Sequence, residues 1–190
     1  FGDHMVLQRG MPVPVWGTAQ AGATVTVTFG KATVSAKADA AGKWLVRLEP
    51  LHPSAEPGTL TIGDGAQTIS FHDVLVGDVW VCSGQSNMGV QLANASNAKE
   101  ALAKADRPTL RLFKVEKQTP TAPAADCVGK WGVCSAATAK GFSAVGYFFG
   151  VEIAESQKVP VGLIESGVGA TPAQSWTSLE ALESDAELKR

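Results

Sequence analysis

The stretch Val79-Trp80-Val81-Cys82-Ser83-Gly84-Gln85-Ser86-Asn87-Met88 decides how this chain is read. Its first half is apolar without alternation and follows Val74-Leu75-Val76. That is the pattern of a strand covered on both faces. Its second half reads as a sharp turn opening a helix. A serine at the C-terminal end of a buried parallel strand lies where open α/β sheets carry their ligands. Its hydroxyl would point into a crevice, and its N–H, at a helix N-terminus, could stabilise a developing oxyanion. Ser86 is therefore the candidate nucleophile. The competing reading of the same small polar residues is a plain turn and N-cap. The hydrolase elbow G-x-S-x-G does not decide between them, because Met88 stands where its last glycine should be.

Outward from this stretch toward the C-terminus, residues 90–105 are alanine-rich and helix-prone, with Lys99, Glu100 and Lys104 as a solvated face. Asn94 and Asn97 predict a break in that helix. Leu110, Leu112, Phe113 and Val115 predict a second strand. Residues 117–130, with their prolines, predict a long loop that shapes a rim over the site. Ser143 is expected to cap a helix to about Gln157, with Val145, Phe148, Phe149, Ile153 and Ala154 on its apolar face. Val161 to Ile164 is a further buried strand, and Ser178 to Glu187 reads as amphipathic helix. This order of strands and helices predicts a doubly wound parallel sheet. The loop Gly167-Val168-Gly169-Ala170-Thr171 joins the last two elements. Glycines there let backbone N–H groups approach a substrate oxygen, although a plain βα turn would look the same. It lacks the Lys-Ser/Thr of a phosphate loop and the third glycine of a dinucleotide fingerprint.

Toward the N-terminus the period changes to two. Val25, Val27 and Phe29 alternate with threonines, Lys43 to Leu48 alternates as well, and turn signals recur at Ala21-Gly22, Ala41-Gly42 and Gly63-Asp64-Gly65. The fold class expected is thus α/β, with a β-sandwich module over 1–72 and the first half of a parallel-sheet domain over 73–190. Trp16 and Trp44 are expected to anchor the sandwich core. This module reads as a scaffold, with carbohydrate binding as the sharper alternative.

The formal charge of −2 over 190 residues gives no electrostatic footprint for nucleic acid or an anionic membrane. No apolar run reaches the ~20 residues of a membrane-spanning helix. Cys82 sits in the core strand. Cys127 and Cys134 flank what reads as a loop and could pair in an exported protein, or remain two isolated thiols; neither has zinc-ligand spacing.

Val-Trp-Val-Cys-Ser-Gly-Gln-Ser-Asn-Met resembles the nucleophile block of the sialate O-acetylesterases, a branch of the SGNH (GDSL-like) hydrolase superfamily. Met5-Val6-Leu7-Gln8-Arg9, Phe142 to Phe149, and Pro160 to Ile164 with Gly169-Ala170-Thr171-Pro172-Ala173 and Trp176 resemble further blocks in the same order. The resemblance implies a flavodoxin-like strand order with the switch point between the Ser86 and Ile164 strands. It implies an acetyl-enzyme on Ser86, an oxyanion hole from the N–H groups of Ser86 and Gly169, and an O-acetylated sugar, sialic acid first, as substrate. Gln85, Asn87, Met88, Ala170 and Thr171 are then candidate pocket residues. No metal or organic cofactor is expected. Acetylated xylan or another polysaccharide is the alternative substrate. The family has Gly-Gly-Thr where this chain has Gly169-Ala170-Thr171, so Ala170 is expected to keep φ below zero. The family also has Glu where this chain has Gln174.

A serine nucleophile needs a base, usually histidine. The three histidines, His4, His52 and His72, all lie in or beside the β module. His72, Asp73 and Asp78 belong toward the opposite end of the Ser86 strand. In the family the histidine comes from an Asp-x-x-His motif near the C-terminus, which is not present here. The resemblance therefore predicts the N-terminal part of an esterase. The remainder of the same polypeptide, or a second chain, would supply the base. A secreted, periplasmic or lysosomal location is expected. The rival reading is a non-catalytic carbohydrate-binding or assembly protein with an incomplete hydrolase domain.

Overall fold

The computed structural model describes residues 1–119, 122 and 124–187. Residues 120, 121 and 123 of the expected rim loop, and 188–190, lie outside the described residues. The N-terminal part contributes β1 (Val6–Gln8), β2 (Val13–Thr18), β3 (Thr24–Phe29), β4 (Ala32–Lys37), β5 (Lys43–Leu48), β6 (Ser54–Gly63) and β7 (Thr68–Cys82). A 3-10 turn (Leu92–Asn94), α1 (Ala98–Ala103), β8 (Arg107–Val115), β9 (Gly129–Cys134) and α2 (Ala136–Ala139) follow. Then come α3 (Ala144–Gln157), β10 (Val161–Glu165), a second 3-10 turn (Ala173–Trp176) and α4 (Leu179–Ser184). The fold is mixed α/β, built on one large mixed sheet in the order β4-β3-β6-β7-β10-β8-β9, with β1 also on β7.

The 15-residue strand β7 joins the two parts. Its first half pairs antiparallel with β6 and its second half, from Asp78, pairs parallel with β10. The expected boundary at 72/73 thus falls inside a strand, at Asp73, whose φ is 54°. Beyond Asp78, β10 is the one strand paired with β7 among the described residues. Trp80 and Val81 there are 44% and 66% exposed.

Alternation assigns the faces. Val25, Val27 and Phe29 of β3 and Val13, Val15, Val46 and Leu48 of the β2–β5 pair bury toward a shared core. Trp44 joins that core, but Trp16 does not. It is 57% exposed, because its position on β2 alternates out of phase with Val13 and Val15. On β10, Val161 and Leu163 face a second core with α1, α2 and α3, whereas Ile164 packs against the first. Helices α1–α3 therefore share one face of the sheet. The opposite face is covered by Met5, Leu7 and Trp131 rather than by helices, which departs from a doubly wound arrangement within the described residues.

Three local expectations need correction. First, the flavodoxin-like order expected from the resemblance would set β8 beside β7; the Ser86 and Ile164 strands are neighbours as expected, but β10 separates β8 from β7. The reason lies in composition: from Val161 to Ile164 β10 is an apolar run covered on both faces, with its one charge at the terminal Glu165, whereas β8 carries Arg107, Arg111 and Lys114. Second, Gly129–Cys134 is strand β9 rather than loop. The five strand steps from Gly129 to Cys134, at ~3.3 Å each, are long enough to keep Cys127 and Cys134 beyond the ~7 Å limit for a disulfide. Both thiols are free, Cys127 exposed and Cys134 buried. Third, α3 is capped by the Ser143 side chain as expected and packs Ile153 and Ala154 against the second core, but it buries Ala144, Gly146, Tyr147 and Gly150 rather than Val145, Phe148 and Phe149. A side chain at Gly146 would meet Cys82 Sγ at 3.1 Å, and one at Gly150 would meet Leu163 at 2.6 Å. From Ala144 to Val151 the helix is apolar on every side, so close approach to the sheet rather than periodicity selects its buried face. Val145, Phe148 and Phe149 stay 50%, 39% and 38% exposed, with Phe149 edge-on to Trp80.

Candidate active site

Ser86 lies four residues beyond the end of β7, exposed at the C-terminal edge of the sheet. The helix expected to open there is a single turn, closed by the Gly89 N–H on the Gln85 carbonyl at 3.1 Å. Helix α1 begins only at Ala98, because Gly89 and Asn94 interrupt propagation. Electrostatic help at Ser86 must therefore come from individual amides rather than from a long helix. Gly84, with φ 134°, makes the bend out of the strand in a conformation that favours glycine.

The loop after β10 runs alongside. The Ser166 N–H donates to Cys82 O at 3.0 Å and the Val168 N–H to Gly84 O at 2.8 Å, extending the parallel ladder past both strand ends. That zipping brings the Gly169–Thr171 segment against Ser86. The Ala170 N–H donates to Ser86 Oγ at 3.4 Å. A Cβ built on Gly169 would stand 3.6 Å from the same oxygen. Ala170 has φ 61°, against the expectation of a negative φ. The tight return of the loop onto Ser86 demands a left-handed residue, and an alanine there costs ~1 kcal/mol.

Gln85 ties the two segments together. Its Oε1 accepts from Ser86 Oγ at 3.0 Å and from the Ser86 N–H at 3.3 Å, while its Nε2 donates to Thr171 O at 3.4 Å. Thr171 Oγ1 donates to Val168 O at 2.7 Å and accepts from Trp176 Nε1 at 2.9 Å, which braces the loop. Asn87 and Gln174 are exposed. Met88 is half-buried, and its sulfur accepts from Ser143 Oγ at 3.3 Å. Behind the loop, Val115, Glu116, Gln118, Asp126, Val128 and Gly167 line a cavity of about 210 Å³ on the side of the expected rim.

The histidines lie elsewhere. His4 Nδ1 is 2.6 Å from Asp73 Oδ2, His72 Nδ1 is 3.4 Å from Thr59 Oγ1, and the exposed His52 lies in the segment between β5 and β6. None is a partner of Ser86 among the described residues. Sequence reasoning missed Glu165, one of the few buried charged groups. The signal was a lone acid ending the apolar run Val161 to Ile164.

Residues 76–186 match the family described as carbohydrate esterase, sialic acid-specific acetylesterase. The chain is 34% identical over 200 residues to sialate O-acetylesterase of Rattus norvegicus, covering 95% of this chain and 37% of that protein. It is 32% identical to the Homo sapiens protein of the same name, covering 95% of this chain and 38% of that one. The crystal structure of a novel carbohydrate acetylesterase from Xanthomonas citri superposes with a TM-score of 0.91 at 38% identity, over 98% of this chain and 43% of that chain. The chain thus spans well under half the length of the relatives it matches.

Proposed function

This chain belongs to the sialic acid-specific acetylesterase family of carbohydrate esterases, and from that premise we propose that it is the nucleophile-bearing part of an enzyme that removes O-acetyl groups from sugars. Sialic acid is the leading substrate, since the relatives covering most of this chain carry that name. Acetylated polysaccharide is the alternative, in keeping with the broader title of the Xanthomonas citri protein. The reading carries with it a compartment outside the cytosol, where such glycans are presented.

The observation that carries the proposal is the contact between the exposed Ser86 hydroxyl and the Ala170 N–H across two strand exits. Ser86 Oγ attacks the acetyl carbonyl. The oxygen that becomes negative is held by the Ser86 N–H and the amides at Gly169 and Ala170. The alcohol of the sugar leaves, and water hydrolyses the acetyl-enzyme. In the arrangement described, Gln85 Oε1 takes the hydroxyl proton's hydrogen bond. A base arriving at Ser86 displaces that bond and leaves Gln85 to hold the 171 carbonyl. Asn87, Met88 and Thr171 border the acceptor space.

We assign the base to polypeptide beyond these residues or to a second chain. Two observations support this: the placement of all three histidines in or beside the N-terminal β part, with none a partner of Ser86 among the described residues, and the open edge of β7 at Trp80 and Val81. A strand added at that edge, parallel to β7, would deliver its C-terminal loop to Ser86. It would also make the second half of β7 an interior strand, paired on both sides. Residues 1–72, with the β2–β5 pair packed as the second layer of a sandwich, act as the scaffold, and 73–190 as the start of the catalytic unit. The non-catalytic alternative rests on the same missing base. Hydrolysis of an acetylated sialic acid by the whole protein and by Ser86→Ala separates the two: equal rates remove the nucleophile assignment.

A further inference from the structure

Glu165 ends β10 and is 5% exposed, yet the chemistry above does not use it. Its Oε2 accepts the Ser143 N–H at 2.8 Å, and its Oε1 lies 3.2 Å from Lys114 Nζ. Lys114 Nζ also donates to Gly141 O at 2.6 Å, so the carboxylate and the ammonium together grip residues 141–143. Ser143 is fully buried. Its hydroxyl accepts the Gly146 N–H at 3.0 Å, capping α3, and donates to the Met88 sulfur, two residues past Ser86. The neighbouring backbone is stitched to the same segment: the Ala144 N–H donates to Val90 O at 2.8 Å and the Leu92 N–H to Phe142 O at 2.9 Å. Glu165 itself is followed at once by Ser166, whose N–H bonds Cys82 O.

Three segments are therefore linked through one carboxylate: the N-terminus of α3 directly, the turn carrying Ser86 through Ser143 and Met88, and the loop carrying Gly169 and Ala170 through the chain that follows Glu165. A buried carboxylate is costly unless charge and hydrogen bonds offset it, and here both do. We propose that Glu165 is a positioning residue, which fixes the Ser86 turn against the 167–171 loop by clamping the start of α3 to the exit of β10. The catalytic role rests on the proposed function above; the positional role does not. Glutamine keeps an acceptor for the Ser143 N–H and loses only the attraction to Lys114. Alanine loses both and leaves the Lys114 ammonium beside an apolar gap.

The test is amide hydrogen exchange on the intact protein, with wild type, Glu165→Ala and Glu165→Gln compared, alongside steady-state hydrolysis of an acetylated sugar. In Glu165→Ala, exchange at 85–92, 142–146 and 166–171 rises at least tenfold, while β3 and β4 keep wild-type rates. The kcat falls about tenfold or more with KM within about twofold, and Glu165→Gln restores most of both. Unchanged exchange in those segments in Glu165→Ala overturns the clamp. If the alanine variant does not fold, Lys114→Met carries the test, with Glu165→Gln staying close to wild type: in Lys114→Met, exchange raised in those three segments alone supports the clamp, and uniform or absent change overturns it. If wild type shows no hydrolysis dependent on Ser86, the esterase reading fails, and the exchange pattern still decides the role of Glu165.

Discussion

Gly77 offers the sharpest test of how the two strands that carry the site are held together. It is buried on β7, and a Cβ built there would stand 1.9 Å from the backbone carbonyl oxygen of Pro160. Carbon and carbonyl oxygen rarely approach closer than about 3.3 Å, so Gly77→Ala must drive the start of β10 away by more than about 1 Å. Neither side can yield through a rotamer change, because both are backbone. The same oxygen accepts the Asp78 N–H at 2.9 Å, and that bond is the first rung of the parallel pairing. Losing it costs about 1 kcal/mol, and the overpacking adds about 1–3 kcal/mol. The expected loss of about 2–4 kcal/mol corresponds to a fall in Tm of about 5–15 °C for a chain of this size. Thermal unfolding followed by circular dichroism measures it, with Gly141→Ala as control, since a Cβ there meets nothing within 4 Å. Gly77→Ala melting within about 2 °C of wild type would refute the reasoning.

Other outcomes follow from the same geometry. Ala170→Gly relieves a left-handed alanine and is expected to stabilise the chain by about 0.5–1 kcal/mol without loss of activity, as read by urea unfolding and hydrolysis; destabilisation would contradict the loop conformation described. Ellman's reagent should titrate the exposed Cys127 quickly, and Cys82 and Cys134 only on unfolding; burial pushes the Cys134 thiol up to about 12 and raises that of Cys82. The Arg111 guanidinium, with His4, holds the Asp73 carboxyl below its ordinary value of 3.8, against the opposing effect of burial. Its stabilising contribution is therefore fully present above 3.8 and is lost as pH falls through the depressed folded value. Urea midpoints should drop on acidification in wild type, and less steeply in Asp73→Asn.

Much of this architecture was legible in the residues, and the failures share physical causes. Ser143 as a cap, the break before Ala98 and the buried run Val161 to Ile164 were set by local chemistry that a sequence displays directly. The face of α3 was not legible, because a helix apolar on every side from Ala144 to Val151 offers no periodicity there, and glycines 146 and 150 mattered only through the sheet they approach. Strand β9 was masked by two glycines and a cysteine that resemble a loop. Strand order is a non-local property, and the insertion of β10 between β7 and β8 left only a trace in their charge content. At the site, Ser86 and the Gly169 loop could be named from their residues and from resemblance. The left-handed Ala170 and the Gln85 bridge depend on how two loops meet in space, and neither loop announces that alone.

The central claim is that the hydroxyl of Ser86 is the atom that attacks. Treating the whole protein with a fluorophosphonate and locating the adduct by peptide mass spectrometry tests it most directly. The account predicts a single stoichiometric adduct on Ser86, absent from Ser86→Ala. An adduct on another residue, or none in a protein that hydrolyses acetylated sugar, would contradict it.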